Sequence, residues 1–266
     1  MPRGLEIITG RVTAPGTTLT ALTANTGDSF VIKNAVAGTR VFIVDAMARI
    51  HSGVYGVFRL RSPKMHDNVQ GLNWYLKPGH NWHLLPTKNA QPVYPQDVIV
   101  AELSGSGTSG HIEHGAILVY YDDLPGVSAR LVNYSDIAAK IKNYFTVRVP
   151  LSAGTSGDYT GTAAINVAFD LFKANVDYAL LGYKVDRTAF MIGLRGPDTG
   201  NLRIGFPAIP DNEYITAEYF IFLNERFNLP TIPVINGSNK FSTTLDVVQD
   251  ETGGTVNVTL LMAELG

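Results

Sequence analysis

Histidine is the residue type in this 266-residue chain with the clearest potential for site chemistry, because its imidazole binds metals and carries protons. All six histidines lie in the first half: His51, His66, His80, His83, His111 and His114. Two pairs among them are separated by three positions, and residues three apart on a β-strand point to opposite faces. Neither pair has the His-x-His spacing with a downstream glutamate that metal-binding β-barrels use. We therefore expect no metal site and no cofactor, and surface or interface positions for these histidines.

Other catalytic patterns are equally weak. The chain has no Gly-x-Ser-x-Gly nucleophile motif, no glycine-rich loop ending in Gly-Lys-Ser/Thr, and no cysteine. The acidic pairs Asp122-Asp123 and Asp250-Glu251 fall in predicted turns, where solvation is the simpler interpretation. A glycosidase pair stays open, because its two carboxylates can be far apart in sequence. We name no catalytic residue and expect a protein that is not an enzyme.

Composition indicates a surface that other protein covers. Only 17% of residues are charged, the net charge is −2, and there are 12 Tyr and 12 Phe. Low charge with many aromatics is typical of protein interfaces, whereas nucleic-acid binding needs a basic field. Arg130, Lys140 and Lys142 form one small basic group, interpreted either as a phosphate or lipid contact or as a solvated helix face. The N-terminal residues lack a signal-peptide pattern, and no apolar run reaches the roughly 18 residues of a membrane span. We therefore expect synthesis in the cytoplasm.

Turn residues separate short apolar runs along most of the chain, which predicts an all-β protein. Residues 256–260 alternate between apolar and polar, as in a strand with one buried face. Four continuous apolar runs predict strands covered on both sides: Val41–Val44, Val98–Val100, Ile117–Tyr121 and Tyr219–Leu223. Two glycine- and serine-rich stretches, 104–110 and 154–161, predict loops.

A helix is predicted near the midpoint, over Ser135–Phe145. Ser135 is a suitable N-cap, and Asp136 favours the positive end of the helix dipole. The apolar residues at helical spacing are Ile137, Ile141, Tyr144 and Phe145.

The sequence on either side of this helix is similar. Leu60-Arg61-Ser62-Pro63 corresponds to Leu194-Arg195-Gly196-Pro197, and three longer stretches match in the same order: 10–21 with 147–160, 30–49 with 167–187, and 109–124 with 252–265. The matches predict two tandem eight-stranded antiparallel jelly rolls, at residues 1–126 and 147–266, joined by a short helical connector at 127–146. β-sandwiches also share turn-rich strands at similar spacing, so part of the similarity arises without a repeat.

In this architecture the chain resembles the double jelly-roll major capsid proteins of small tailless icosahedral, membrane-containing bacteriophages. The resemblance covers the whole chain but includes no diagnostic motif. It implies a structural protein of the virion whose homotrimers have a pseudo-hexagonal outline and tile an icosahedral shell. The implied partners are further copies, neighbouring capsomers, other capsid proteins and an internal membrane, without sequence-specific nucleic acid.

Two other classes of function stay open. One is a phage spike or lectin-like carbohydrate- or receptor-binding protein, in which Trp74, Tyr75 and Trp82 stack on sugar rings. The other is a bicupin-like metalloenzyme that uses the histidines of the first half.

Overall fold

A computed structural model of the chain describes residues 3–24, 30–51, 53–64, 69–77, 90–123, 125, 129–152, 159–165, 171–186, 189–203, 218–249 and 255–266. The chain divides into two compact units. Residues 7–124 form the first unit, and residues 1–6 together with 125–266 form the second.

The first unit consists of two antiparallel sheets. Its strands are β1 (Arg3–Thr13, whose first four residues belong to the second unit), β2 (Thr20–Ala21), β3 (Thr23–Ala24), β4 (Val31–Lys33), β5 (Arg40–Arg49), β6 (Gly56–Arg61), β7 (Leu72–Leu76), β8 (Gln91–Val93), β9 (Val98–Leu103) and β10 (Ile112–Asp122). One sheet has the order β1-β10-β5-β8, and the other has the order β2-β9-β6-β7, with β4 also paired to β9. Strand β3 pairs with β1.

The second unit also has two sheets, together with two helices. Its elements are β11 (Leu131–Val132), α1 (Tyr134–Ile137), a 3-10 turn (Ala138–Lys140), β12 (Ile141–Ser152), β13 (Tyr159–Ala164), β14 (Asp177–Val185), β15 (Ala189–Gly196), β16 (Gly200–Arg203), α2 (Tyr219–Phe227), β17 (Ile232–Asn236), a 3-10 turn (Gly237–Asn239), β18 (Thr244–Gln249) and β19 (Thr255–Leu265). One sheet runs β11-β17-β14-β19-β12. The other runs β13-β18-β15-β16, and Glu6 of β1 pairs with Arg203 at its edge.

The two units share one strand order. With the short strands β2 and β4 counted as one strand, and β3 set apart because it pairs with β1, the described residues of each unit form eight strands, from β1 to β10 in the first and from β12 to β19 in the second. In both, the first strand pairs with the eighth, the eighth with the third and the third with the sixth. In both, the other sheet joins the second, seventh, fourth and fifth strands. The predicted all-β class is therefore confirmed.

Burial agrees with the strand predictions at residues 41–44, 117–121 and 256–260. Residues 41–44 lie in β5 and 117–121 in β10, where side chains on both faces are buried. Residues 256–260 lie in β19 and alternate in burial as predicted. The prediction for residues 98–100 is wrong in one respect: they lie in β9, but Val98 is 38% exposed beside the fully buried Ile99. This strand is covered on one face at that point.

The prediction of a strand over Tyr219–Leu223 is wrong, because this run begins α2. Tyr219, Phe220, Leu223 and Phe227 are buried, and the helix packs against β14 and β17. A short continuous apolar run fits a buried strand and a buried helix equally well, so the pattern alone does not separate them. The helix ends at Asn228, which adopts the left-handed conformation suited to this position.

The predicted helix over 135–145 is wrong beyond its first turns. Asn133, rather than Ser135, is the N-cap, and its N–H donates to the Asp136 carboxylate at 3.2 Å. From Ile141 onward the chain is strand β12, which pairs with β19 along its whole length. The apolar residues at 145, 147, 149 and 151 also alternate, and the long ladder with β19 favours that second pattern over the helical one.

The predicted loop over 104–110 lies between strands, as expected. The predicted loop over 154–161 is wrong at its end, because residues 159–161 belong to β13, and residues 153–158 lie outside the described part. Among the described residues, no helix is long and apolar enough to cross a bilayer.

Candidate functional site

The Leu-Arg-x-Pro repeat ends corresponding strands in the two units. Leu60 in β6 and Leu194 in β15 are both fully buried. Strand β6 ends at Arg61 and β15 at Gly196, and the prolines that follow lie in turns. Proline has no N–H to donate to a strand ladder. It is tolerated here because the turn beyond the strand needs no ladder hydrogen bond from it.

The arginine of the repeat makes a corresponding ion pair in each unit. The Arg61 Nε donates to Glu102 on β9 at 2.9 Å, and the Arg195 Nη2 lies 2.5 Å from Asp246 on β18. The register is also the same: Glu102 lies opposite Arg59, and Asp246 lies opposite Gly193. In each unit this residue is two positions before the arginine of the repeat. Glu102 and Asp246 are both almost fully buried. The two units therefore match in one charged contact as well as in strand order.

A buried carboxylate organises the loops at one end of the first unit. Glu113, in β10, is fully buried. Its Oε2 accepts the His51 N–H at 2.8 Å, and its Oε1 accepts the Ser106 N–H at 2.6 Å. Gly105 packs so closely that an added Cβ would lie 2.7 Å from the carboxylate oxygen. These contacts join the segment after β5 to the loop between β9 and β10.

Two imidazole rings lie beside this carboxylate. The rings of His51 and His111 stack with centroids 3.7 Å apart and planes 8° apart, and the Ser106 hydroxyl is 2.8 Å from the Nδ1 of His111. The Ala14 N–H donates to the His111 carbonyl, and the Gly16 N–H donates to the Ser106 carbonyl. Segments following β1, β5 and β9 are thus joined in one cluster.

His114, next along β10, is buried in a positively charged environment. Burial, and then the charges of Arg49, Arg11 and His51, lower its pKa from 6.5 to about 3. The imidazole therefore stays neutral in the folded protein throughout the mildly acidic range.

This cluster suits loop anchoring better than reaction chemistry. Ser106 is only 2% exposed, so its hydroxyl does not face a substrate. It contacts His111, whereas Glu113 lies nearer His51, with 3.9 Å between Nδ1 and Oε2, so no single imidazole connects hydroxyl and carboxylate. Within the described ranges, no group of three or more His, Cys, Asp or Glu residues could hold a metal ion. His66, His80 and His83 lie outside the described residues.

The predicted basic group lies along a groove of about 500 Å³ in the second unit. Arg130 makes two hydrogen bonds to Asp177, at 3.1 and 2.6 Å, and lies 3.6 Å from Asp198. The bond with Asp177 raises the pKa of Arg130, and the same bond lowers the pKa of Asp177. Lys140 and Lys142 line the same groove. Acidic residues therefore balance the guanidinium, and the groove has mixed charge.

The predicted sugar-stacking residues do not form one platform. Trp74 packs against the buried Phe58, with ring centroids 5.8 Å apart, whereas Tyr75 is 89% exposed. Adjacent residues on β7 point to opposite faces of the sheet. Trp82 lies outside the described part of the chain.

The buried acidic residues of the two units were not predicted from the sequence. Glu102, Glu113 and Asp246 are each nearly or fully buried, and each sits within an apolar or alternating run. A carboxylate inside an apolar run is a usable signal, because such a group is buried only with hydrogen-bond or ionic partners. Of the acidic pairs singled out in turns, Asp122 ends β10 and contacts Arg40, while Asp250 and Glu251 lie outside the described residues.

Comparison with known proteins adds no assignment to this geometry. No protein-family model matches the chain, and no curated protein matches it in sequence.

Proposed function

We propose that this chain is a viral major capsid protein built from two tandem jelly rolls, whose homotrimers tile an icosahedral shell. In this proposal the protein is structural, not an enzyme, and needs no cofactor. Its partners are other copies of itself and neighbouring capsid components, and it acts in the virion after synthesis in the host cytoplasm.

The shared strand order is the observation that carries the proposal. Strands one, eight, three and six in one sheet, with strands two, seven, four and five in the other, are the arrangement expected of a jelly roll, so this order supports the proposal. Jelly rolls occur in viral capsids, lectins and cupins, so one copy alone favours none of these. Two copies in tandem favour the capsid class, because a shell gains a specific geometric advantage from the duplication.

That advantage is the shape of the trimer. Three chains with two barrels each supply six barrels around an axis, which gives a nearly hexagonal outline from threefold symmetry. Hexagonal units cover a flat facet with little gap. One chain thereby supplies two similar edges that can differ in detail, as the two units here do in their connections.

The same connectivity is also compatible with the lectin-like and metalloenzyme alternatives. The aromatic residues of β7 and the His51–His111 cluster give these alternatives less support. The exposed Tyr75 lacks Trp74 as a second stacking ring on its face. The rings of His51 and His111 are stacked with nearly parallel planes. A nitrogen lone pair lies in the plane of its own ring, so the lone pairs of the two rings do not converge on one ion.

Sedimentation velocity with negative-stain microscopy of the purified chain tests the proposal. We expect trimers with a hexagonal outline of about 70–80 Å, the width of six packed barrels. Monomers that persist to high concentration would contradict it. Stoichiometric iron, manganese or zinc, lost on His→Ala changes at 111 and 114, would instead favour the metalloenzyme.

A further inference from the structure

One surface of the first unit combines positive charge with exposed apolar side chains. This surface, termed the sheet face, consists of outward-pointing residues of β4, β6, β7 and β9: Lys33, Arg59, Arg61, Tyr75, Val98 and Glu102. Arg59 lies opposite Glu102 in the β6–β9 ladder, and the Glu102 carboxylate forms ion pairs with both Arg59 and Arg61. Tyr75 is 89% exposed, and Val98 is 38% exposed. Three cationic side chains against one carboxylate leave the sheet face with a net positive charge.

A surface of the second unit combines negative charge with exposed aromatic rings. This surface, termed the helix face, consists of Tyr134, Tyr144, Glu218, Phe222, Glu225 and Arg226. Glu218 caps α2, and the spacing of 218, 222 and 225 places these three residues on one side of the helix.

Tyr134 lies near these carboxylates and contacts Tyr144. The hydrogen bond to Tyr144 raises the pKa of Tyr134, with smaller contributions from burial and from the charges of Glu218 and Glu225. Tyr144 is 55% exposed and Phe222 is 39% exposed. The Arg226 guanidinium lies over the Phe222 ring, 5.6 Å from its centroid. Two carboxylates against one guanidinium leave the helix face with a net negative charge.

The symmetry of the proposed trimer requires contact between unlike faces. Six barrels from three chains alternate around the axis between first and second units. Every contact between copies therefore joins the first unit of one chain to the second unit of the next. Such a head-to-tail contact is heterologous, so the two surfaces must be complementary rather than self-complementary.

We propose that the sheet face of one copy docks on the helix face of the next copy. This inference rests on the proposed trimer and names the surfaces that hold it together. The opposite charges supply complementarity and orientation. Tyr, Phe and Arg are residue types that are enriched at such interfaces. Tyr75 is exposed on the sheet face, and Tyr144 and Phe222 are exposed on the helix face.

Charge reversal with rescue tests the pairing. Lys33→Glu reverses a charge on the sheet face, and Glu218→Lys with Glu225→Lys reverses the helix face. Each variant should raise the trimer dissociation constant about tenfold or more, because Lys33→Glu removes the net positive charge of the sheet face and the double change makes the helix face positive like the sheet face. All three changes in one chain remove the like-charge contact and set an acidic side chain at position 33 against the new basic side chains at 218 and 225, so that chain should regain much of the affinity that the helix-face variant loses. Sedimentation equilibrium at low salt measures each constant.

Lys184→Glu is the matched control, because it makes the same charge change at an exposed strand position outside both faces. It should leave the dissociation constant within about twofold of the parent. Circular dichroism and hydrogen exchange on each variant establish that the fold is retained.

The outcomes separate this inference from the proposed function. A trimeric parent whose variants all stay trimeric would overturn the face assignment and leave the capsid proposal standing. A parent that stays monomeric would overturn both. Loss of affinity without recovery in the combined variant would show that the two faces do not meet each other. If Tyr75→Ala abolished glycan binding and left the trimer unchanged, the sheet face would be a sugar site instead.

Discussion

The second residue of the last strand differs in chemistry between the two units, although it is fully buried in both. In the first unit this residue is Glu113 in β10, and in the second it is Val256 in β19. Glu113 accepts the backbone N–H groups of His51 and Ser106, which lie in different connections. The Val256 side chain offers no acceptor, so that side chain contributes through apolar packing alone.

The comparison shows which parts of the framework are interchangeable. Strand order and the arginine–carboxylate pair of the repeat are common to both units, because they belong to the sheets. Among the described connections, the second unit has α2 between β16 and β17, and the first has the His51–His111 cluster, which joins the segments after β5 and β9. A buried charge needs a complete set of donors, and loops supply them only where they converge.

The largest expected effect comes from truncating these two equivalent positions. Glu113→Ala should lower the free energy of unfolding of the first unit by about 4 kcal/mol, because the buried N–H of Ser106 and the partly buried N–H of His51 lose their acceptor. Val256→Ala should cost the second unit about 2 kcal/mol through lost packing. Urea unfolding followed by tryptophan fluorescence reports on the first unit, since both tryptophans, at 74 and 82, lie there.

Hydrogen exchange of β19 amides reports on the second unit in the same samples. A larger cost for Val256→Ala than for Glu113→Ala would mean that the carboxylate is not the main anchor of the loop end.

Acidification should destabilise the first unit selectively. The pKa of His114 in the folded unit, about 3, is depressed from 6.5, so below pH 6.5 the unfolded chain takes up a proton that the folded unit does not. Stability is therefore fully present above pH 6.5 and falls as pH is lowered, by about 2 kcal/mol at pH 5. Urea unfolding at pH 7.5 and pH 5, monitored by tryptophan fluorescence, measures the loss.

The second unit is the internal control, because residues 1–6 and 125–266 include no histidine. His114→Gln should remove most of the difference between the two pH values. An equal loss in both units, or an unchanged pH dependence in this variant, would contradict the assignment to His114.

The two arginines of the repeat should differ in their contribution. Arg195→Ala should cost about 1.5 kcal/mol, because it removes the arginine from the buried Asp246. Arg61→Ala should cost about 0.5 kcal/mol, because Arg59 still contacts Glu102 at 2.5 Å. Parallel unfolding measurements compare them, and equal costs would mean that Arg59 does not compensate.

The smallest effects concern the helix cap that belongs to the second unit. Asn133→Ala should cost about 1 kcal/mol, whereas Ser135→Ala should change stability by no more than about 0.3 kcal/mol. The Nδ2 of Asn224 in α2 donates to the Asn133 Oδ1 at 3.0 Å, and the Tyr134 N–H donates to the Asn224 Oδ1 at 3.0 Å, so the cap joins the two helices. Thermal unfolding of the two variants measures these costs. A larger cost for Ser135→Ala than for Asn133→Ala would identify Ser135 as the N-cap.

Local patterns predicted many of the sheet residues correctly. The strand predictions for 41–44, 117–121 and 256–260 were correct. A continuous apolar run indicates a strand buried on both faces, and an alternating run indicates a strand buried on one face. The same logic misplaced Tyr219–Leu223, since a continuous apolar run also fits a buried helix. At 141–145 two periodicities overlap, and pairing with a strand more than a hundred residues away decided between them.

The candidate sites were harder to predict than the strands. The histidines at 51, 111 and 114 were named as candidates, but the carboxylate of Glu113 that joins the His51 and Ser106 segments was not, because that residue lies within an otherwise apolar strand. The grouping requires the segments after β1, β5 and β9 to meet, which is a property of strand order rather than of residue spacing.

The amino-acid sequence by itself determined the β class, the turns that divide the strands and the Leu-Arg-x-Pro repeat, because these depend on interactions between neighbours in the chain. Only the tertiary structure decided the helix over 219–227, the start of β12 and the partners of Glu113, Glu102 and Asp246. Burial of a charge and choice between helix and strand both depend on distant residues, whose positions the local sequence does not encode.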